Sequence, residues 1–204
     1  MCRYKILPHF LGPICITYRV WEVHLVSQLT IPITKQDHIE GVASALVTLV
    51  EYGDYECPYC GEAYHIIKRV QQDIGDDLRF VFRNFPLGQI HPHAVWAARG
   101  AEAATVQNKF WEMHDVLFEN QDALAEEDLV SYAYLLKLDV SKFVSDMRAE
   151  KVWQKVDDDF WSGVRSGVNG TPTFFINGRR HEGLYSYYEL RTAIERVARK
   201  GRVA

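Results

Sequence analysis

Cys57 and Cys60 are the residues of this sequence whose types and spacing are best suited to chemistry. Two thiols at Cys-x-x-Cys spacing can close a short disulfide, and one of them commonly has a lowered pKa that makes it a nucleophile. Pro58, the next residue, suits the first turn of a helix because its missing N–H is not needed there. The motif predicts a redox pair in which Cys57 is the exposed nucleophile and Cys60 lies one turn deeper.

The segments beside the motif predict how the two thiols are positioned. The mostly apolar run 45–50 is typical of a buried strand, and 61–74 has the apolar spacing of a helix. The motif therefore lies where a strand passes into a helix, and the unpaired N–H groups at a helix N-terminus stabilise a thiolate. Two other interpretations of the residues stay open here. They are a pair of buried, inert cysteines, and half of a zinc site with His65 as a further ligand.

The remaining pattern predicts an α/β chain. Strands are expected at 42–52, 78–85, 173–176 and 179–183. The first two, joined by the motif helix, form a βαβ unit whose strands should be parallel. Asn177-Gly178 is a strong hairpin signal between the last two strands. Further helices are expected over 94–107, 109–120, 127–138, 141–149, 152–165 and 188–200.

Three parts of the chain are distinguished by these patterns. Residues 36–90 and 168–204 form the α/β domain, and 91–167 is a helical subdomain inserted between its two halves. Residues 1–35 form an N-terminal extension that we expect to be loosely ordered, with a weak additional strand over 17–29. The polar stretch 32–41 is predicted to be a loop.

Composition restricts the function classes. The 204-residue chain has a formal net charge of −4, without the basic face that nucleic-acid binding needs. Four cysteines in this length are not a disulfide framework, and Cys2 and Cys15 lack the paired spacing of a zinc site, so we expect no metal. No apolar run reaches the length of about 18 residues that a membrane span needs.

The N-terminus bears on the expected location of the protein. Arg3 and Lys5 precede a mildly apolar run, but Pro8, His9 and Pro13 interrupt it and no small-residue cleavage site follows closely. We therefore favour the cytoplasm, where catalytic thiols are cycled through the reduced form, over the periplasm or another extracytoplasmic compartment.

Two motifs together resemble those of the thioredoxin superfamily. Glu-Cys-Pro-Tyr-Cys follows a buried strand, and Gly-Thr-Pro-Thr-Phe-Phe-Ile-Asn-Gly precedes a C-terminal hairpin and helix. With its long helical insertion, the chain is similar to DsbA-like thiol:disulfide oxidoreductases over residues 36–200. The resemblance implies an α/β thioredoxin fold in which the insertion separates the βαβ unit from a C-terminal ββα unit.

The resemblance also implies roles for individual residues. Pro172 matches the family's cis-proline beside the disulfide, and Thr171 would offer backbone groups to an extended substrate. Pro58 and Tyr59 would belong to the same substrate-binding surface. Glu51 matches the buried acid behind the cysteines. A carboxyl in an apolar setting has a raised pKa and can shuttle a proton to or from Cys60.

One departure from the family pattern affects the expected redox poise. Strongly oxidising DsbA proteins have Pro-His between their cysteines, whereas this chain has Pro-Tyr, and Tyr59 cannot carry a positive charge. Asp54 and Glu56 add negative charge beside Cys57, which opposes the thiolate. We expect a less extreme thiol pKa and an intermediate reduction potential. His91 and His93 are expected in the N-terminal turn of the first inserted helix.

The sequence thus predicts an enzyme, a thiol-disulfide oxidoreductase that exchanges disulfides with protein substrates. Its redox-active pair is Cys57–Cys60, it needs no other cofactor, and an unidentified thiol or disulfide partner recycles it. Two alternatives stay open. One is a glutathione-linked oxidoreductase or transferase of the kappa or DsbA-like type, in which the insertion builds a small-molecule pocket. The other is a redox-switched binding module.

Overall fold

The computed structural model describes residues 28–202, whose central feature is a five-stranded sheet in the order β1-β3-β2-β4-β5. The parallel pairing of β2 and β3 confirms the predicted βαβ unit, and the other pairs are antiparallel. The strands are β1 (His38–Glu40), β2 (Val47–Gly53), β3 (Leu78–Asn84), β4 (Thr173–Ile176) and β5 (Arg179–Arg180).

Seven α-helices flank this sheet in the described part of the chain. The first connects β2 to β3, five follow between β3 and β4, and the last ends the described chain. A short 3-10 turn at Gly75–Asp77 follows the first of them, whose C-cap is Gly75 with a positive φ. The helices are α1 (Pro58–Ile74), α2 (Ala94–Thr105), α3 (Phe110–Glu119), α4 (Glu126–Leu135), α5 (Val140–Met147), α6 (Glu150–Arg165) and α7 (Tyr187–Gly201).

The central strand β2 is buried along its whole length, as its apolar sequence predicts. Leu49 faces the larger core with α1 and α7, and Val50 and Tyr52 face a smaller core on the other side of the sheet. The carboxyl end of a strand buried on both faces cannot shift without disturbing two layers. The cysteine motif that follows β2 is therefore fixed by both cores.

The predicted loop at 32–41 was wrong in part, because β1 lies within it and pairs with the outer edge of β3. Its sequence is polar because an edge strand is only half covered. His38 stacks on Phe110 of α3 with 3.4 Å between ring centroids, and its Nε2 contacts the Glu102 carboxylate at 2.9 Å. Packing against the helices therefore makes this polar segment a strand.

The N-terminal prediction falls largely outside the described residues. Of the weak strand over 17–29, only the last two residues are described. Gln28 forms an isolated antiparallel bridge with Arg179, and the Leu29 N–H donates to the Gly178 carbonyl at 2.7 Å. The hairpin turn itself is confirmed, since Asn177 and Gly178 both have positive φ angles.

The helices between β3 and β4 are anchored to the sheet by a buried polar group at the end of β3. The Asn84 N–H donates to Asp159 of α6 at 3.1 Å, and its side-chain amide donates to Glu102 of α2 at 2.7 Å. The apolar face of α3 is buried at Phe110, Met113, Leu117 and Phe118. These contacts fix the helices that surround the cysteine motif.

A close approach at Gly163 gives a stability prediction. A Cβ at this position of α6 would lie 2.6 Å from Phe85 and 3.0 Å from Tyr52, both buried. We expect Gly163→Ala to lower the free energy of unfolding by about 1–2 kcal/mol, despite the better helix propensity of alanine, because the rings must move. Urea unfolding measures this change. Gly170→Ala, where a Cβ meets nothing within 4 Å, is the control and should change stability by less than about 0.5 kcal/mol.

Candidate active site

The cysteine motif lies at the junction predicted from the sequence. Cys57 is the N-cap of α1, with an extended backbone, and Pro58 is the first helical residue. The Cys57 carbonyl accepts from the N–H groups of Cys60 and Gly61 at 3.0 and 3.1 Å. The Cys57 backbone is therefore fixed by the first turn of α1.

The Cys57 thiol is strongly acidified. The hydrogen bond from the Cys60 thiol makes the largest contribution, and burial opposes it. The contact with Thr171 and the N–H groups of Cys60 and Tyr59 lower the pKa further, so that the pKa of Cys57 falls to about 5. The value lies between those of about 7 for thioredoxin and about 3.5 for DsbA. Cys57 is therefore a thiolate at neutral pH.

Cys57 is less accessible than the sequence suggested. Only 4% of the residue is exposed, so the prediction of an exposed nucleophile was wrong. The reason is the loop before β4. The carbonyl oxygen of Thr171 lies 3.5 Å from the Cys57 Sγ, where it accepts from the thiol form. The Thr171 backbone therefore covers one side of the Cys57 sulfur.

Cys60 differs sharply from its neighbour. It is fully buried, and burial, its hydrogen bond to Cys57 and the charge of Glu51 raise its pKa well above the usual value. The Asp54 N–H points to its Sγ at 3.5 Å. Both cysteines are free thiols in this structure. One thiolate and one protected thiol therefore lie side by side.

Glu51 lies near the end of β2 with 2% of its surface exposed. Burial, followed by the charge of Cys57, raises the pKa of its carboxyl to about 8. Its Oε1 atom is buried without a hydrogen-bond partner among the described residues. A carboxyl in this setting is protonated at neutral pH and able to exchange a proton with a nearby group.

The second motif lies beside the first. The Thr171-Pro172 peptide bond is cis, as the resemblance implied, and the contact between Thr171 and the Cys57 sulfur brings this loop to the motif. Pro58 is exposed, and Tyr59 is 59% exposed. The structure thus brings all seven predicted site residues to the carboxyl end of β2 and the start of α1 and β4.

Two further residues hold the motif and were missed by sequence reasoning. The Gln121 side-chain amide donates to the carbonyls of Tyr55 and Cys57 at 2.7 and 2.9 Å. Asp54, interpreted above only as a charge opposing the thiolate, instead accepts hydrogen bonds from the Glu56 and Leu87 N–H groups and contacts His91. Asp54 contacts residues 87 and 91, and Gln121 contacts residues 55 and 57. These partners are far apart in the sequence, so no local pattern indicates the contacts.

Beside the motif lies an apolar groove of about 440 Å³. It is formed by the loop after β3 together with α6 and the loop before β4. Its lining residues are Phe85, Pro86, Leu87, Gly88, Gln89, Ile90, Phe160 and Asn169. Ile90 is 68% exposed at its rim. The Leu87 N–H donates to the Asp54 carboxylate just before the cysteine motif, and this hydrogen bond connects the groove to the motif.

With this geometry, comparison with known proteins defines the family. The sequence profile described as thioredoxin matches residues 33–196, so the chain belongs to the thioredoxin family. Its fold is the DsbA-like form of that family. Wolbachia pipientis alpha-DsbA1 superposes with a TM-score of 0.73 over 86% of this chain and 96% of that one, at 20% identity.

Two other similar proteins add detail. A thioredoxin-like oxidoreductase from Silicibacter pomeroyi has a TM-score of 0.73 at 29% identity, over 82% of this chain and 94% of that one. A Mycobacterium protein (strain KMS) named Na(+)/H(+) antiporter NhaA 1 is 45% identical over 163 residues, which cover 79% of this chain and 27% of that protein. The chain thus spans about a quarter of the length of the curated relatives it matches. Within residues 28–202, no helix is long and apolar enough to cross a membrane.

Proposed function

We propose that this chain is a thiol-disulfide oxidoreductase that exchanges disulfides with protein substrates through Cys57 and Cys60. The observation that carries the proposal is the contrast between the two thiols. The pKa of Cys57 is lowered to about 5 at the start of α1, whereas that of the buried Cys60 is raised. Exchange needs one reactive thiolate and one thiol that stays protonated until it is required.

In the reducing direction, the Cys57 thiolate attacks one sulfur of a substrate disulfide. A mixed disulfide forms, the substrate S–S bond breaks, and the departing substrate sulfur takes a proton. Cys60 then loses its proton and attacks the Cys57 sulfur, which releases the second substrate sulfur as a thiolate. The substrate gains two electrons and the Cys57–Cys60 pair loses two.

Glu51 is proposed to take the proton from Cys60 in the second step. At that stage Cys57 is bonded to the substrate and no longer carries the negative charge that helps to raise the Glu51 pKa, so the carboxylate form that accepts a proton is more accessible. Its carboxyl has a pKa of about 8, and its charge acts on Cys60. A general base works best when its pKa is near the working pH, and it can act directly or through one water molecule. In the oxidising direction, Glu51 returns the proton to Cys60.

Substrate recognition is proposed to involve the surface around Cys57. Thr171, before Pro172, offers a backbone carbonyl at the edge of the site, and Pro58 and Tyr59 are exposed beside it. We propose that the apolar groove extends this surface. An extended chain could be bound by backbone hydrogen bonds with apolar side chains in the groove.

A reduction potential tests this proposal. The protein is equilibrated with glutathione redox buffers, and the fraction of the Cys57–Cys60 disulfide is measured by thiol alkylation. Because the pKa of Cys57 is intermediate, we expect a two-electron couple between about −270 mV (thioredoxin) and about −120 mV (DsbA). With the cytoplasmic location that we propose, a value in the lower half of this range favours the reductase direction. A pair that does not equilibrate with glutathione would exclude the proposed chemistry.

A second candidate function is redox regulation of a membrane transporter. It is suggested by the relatives named Na(+)/H(+) antiporters. The segment of each that is similar to this chain makes up about a quarter of its length. We propose that the exchange module acts on the transporter part of such proteins. Sodium–proton exchange in vesicles containing the full Mycobacterium relative should then differ between oxidising and reducing glutathione buffers. Equal exchange rates in both buffers would exclude this role.

A further inference from the structure

The loop between β3 and α2 is tied to the cysteine motif by one buried carboxylate, that of Asp54. Its Oδ2 accepts from the Leu87 N–H at 2.8 Å and contacts the His91 Nδ1 at 2.7 Å. Its Oδ1 accepts from the Glu56 N–H at 2.9 Å. The Asp54 side chain is fully buried, whereas that of His91 is 17% exposed. His91 is therefore held in place from the protein side and open to solvent on the other.

The backbone of the same residue contacts both cysteines. The Asp54 carbonyl accepts from the Cys57 N–H at 3.1 Å, and the Asp54 N–H points to the Cys60 sulfur at 3.5 Å. A displacement of Asp54 would change the hydrogen bonds of the Cys57 backbone and of the Cys60 sulfur. His91 is thus connected to the two cysteines through a single residue, Asp54.

The charges near this contact require a cation. The Asp54 carboxylate, Glu56 and the Cys57 thiolate all act on His91 as negative charges. Glu51 and Cys60, which interact with Cys57 from the protein interior, have raised pKa values and are protonated at neutral pH. Within residues 28–202, the salt bridge of Asp54 is made with His91. A buried charge without a counter-charge is costly, so the site favours the imidazolium form.

The protonation of His91 agrees with this arrangement. Partial burial lowers its pKa, but the hydrogen bond and charge of Asp54 outweigh burial, and the charges of Cys57 and Glu56 add to them, so the pKa is raised. The negative charge of the Cys57 thiolate attracts the His91 imidazolium and raises the His91 pKa. Because this attraction is mutual, a charged His91 also stabilises the thiolate. The residue between the cysteines, Tyr59, supplies no such charge.

We propose that His91, held by Asp54, is a positioning residue that supplies the positive charge stabilising the Cys57 thiolate. This inference rests on the proposed exchange function, whose direction and driving force it would tune. When the disulfide gains two electrons and one proton, Cys60 becomes a thiol and Cys57 a thiolate. His91 lowers the free energy of that thiolate, and so favours the reduced form of the pair.

Two substitutions of His91 separate charge from structure. His91→Gln removes the charge but keeps a polar side chain, and His91→Lys restores a charge. His93→Gln is the matched control, because the side chain of the exposed His93 has no hydrogen bond or salt bridge within residues 28–202, and its backbone N–H, which donates to Glu56, is kept in the variant. The pKa of Cys57 is measured by the ultraviolet absorbance of the thiolate and by the pH dependence of its alkylation.

We expect His91→Gln to lower the acid dissociation constant of Cys57 by about three- to tenfold, because an adjacent opposite charge is lost at a partly exposed site. The glutathione equilibrium at pH 7 should shift by the same factor towards the disulfide. His91→Lys should recover at least half of the pKa change, and His93→Gln should leave the pKa unchanged.

Three results would overturn the inference: an unchanged pKa of Cys57 in His91→Gln, equal changes in His91→Gln and His91→Lys, or a matching change in His93→Gln. The pKa is read from the thiolate itself. Failure of the proposed exchange function, seen as wild-type protein that does not equilibrate with glutathione, is therefore distinguishable from failure of the role of His91.

Discussion

Cys57→Ser should lower the rate of insulin disulfide reduction by at least about a thousandfold. Serine cannot form a disulfide, and its hydroxyl is not ionised at neutral pH, whereas the Cys57 pKa of about 5 makes the native residue a thiolate. The measurement is the rate of insulin precipitation in the presence of a thiol reductant, at equal protein concentrations.

Cys15→Ser is the matched control for this substitution. It makes the same chemical change at a cysteine outside the motif. We expect it to retain the wild-type rate. Comparable rates in Cys57→Ser and the wild type would refute the assignment of Cys57 as the nucleophile, and a loss of activity in the control would show that the loss is not specific to the motif.

Glu51→Gln should slow exchange on the order of 100-fold, because it removes the group proposed to take the proton from Cys60. The loss should fall in the step that resolves the mixed disulfide, so that this intermediate accumulates. Stopped-flow measurement of its formation and decay tests this directly. An unchanged rate of resolution would contradict the role of Glu51.

The same substitution should stabilise the fold in a pH-dependent way. The folded-state pKa of Glu51 is raised to about 8 from 4.5, so the folded protein retains a proton that the unfolded chain loses. The unfolding free energy of the wild type therefore falls from about pH 4.5 to about pH 8, whereas glutamine does not titrate. We expect Glu51→Gln to be more stable by roughly 4 kcal/mol at pH 8 and nearly equal to the wild type at pH 4.5.

Urea unfolding of the disulfide form measures this difference without a contribution from the titration of Cys57. Burial, the larger cause of the raised Glu51 pKa, remains in that form, whereas the charge of Cys57 is absent, so the difference should be smaller there but should still grow with pH. In the reduced form, the lowered pKa of Cys57 raises stability with pH between about 5 and 9.0, which opposes the effect of Glu51. A stability difference between Glu51→Gln and the wild type that does not grow with pH would show that Glu51 is not a buried, raised-pKa carboxyl.

Much of the site could be predicted because its parts carry local signatures. The apolar run before the motif predicted β2, and Pro58 indicated the start of α1. Asn177-Gly178 predicted the hairpin turn that follows β4. The resemblance to thioredoxin-like proteins indicated the cis bond before Pro172. Each of these features depends on a few adjacent residues.

The parts that could not be predicted depend on long-range contacts. The strand β1 is polar and short, and it exists because it pairs with β3 and packs on Phe110. The Asp54–His91 contact joins residues that are 37 positions apart. The contact between the Cys57 sulfur and the Thr171 carbonyl joins residues that are 114 positions apart. Periodicity and motif spacing carry no information about such pairs.

The central claim is that Cys57 attacks substrate disulfides and Cys60 resolves the product. Its most direct test is to incubate the Cys60→Ser variant with an oxidised protein substrate and to map the adduct by mass spectrometry without reduction. The account predicts a stable mixed disulfide between Cys57 and the substrate, absent from Cys57→Ser. An adduct through Cys2 or Cys15, or no adduct at all, would contradict it.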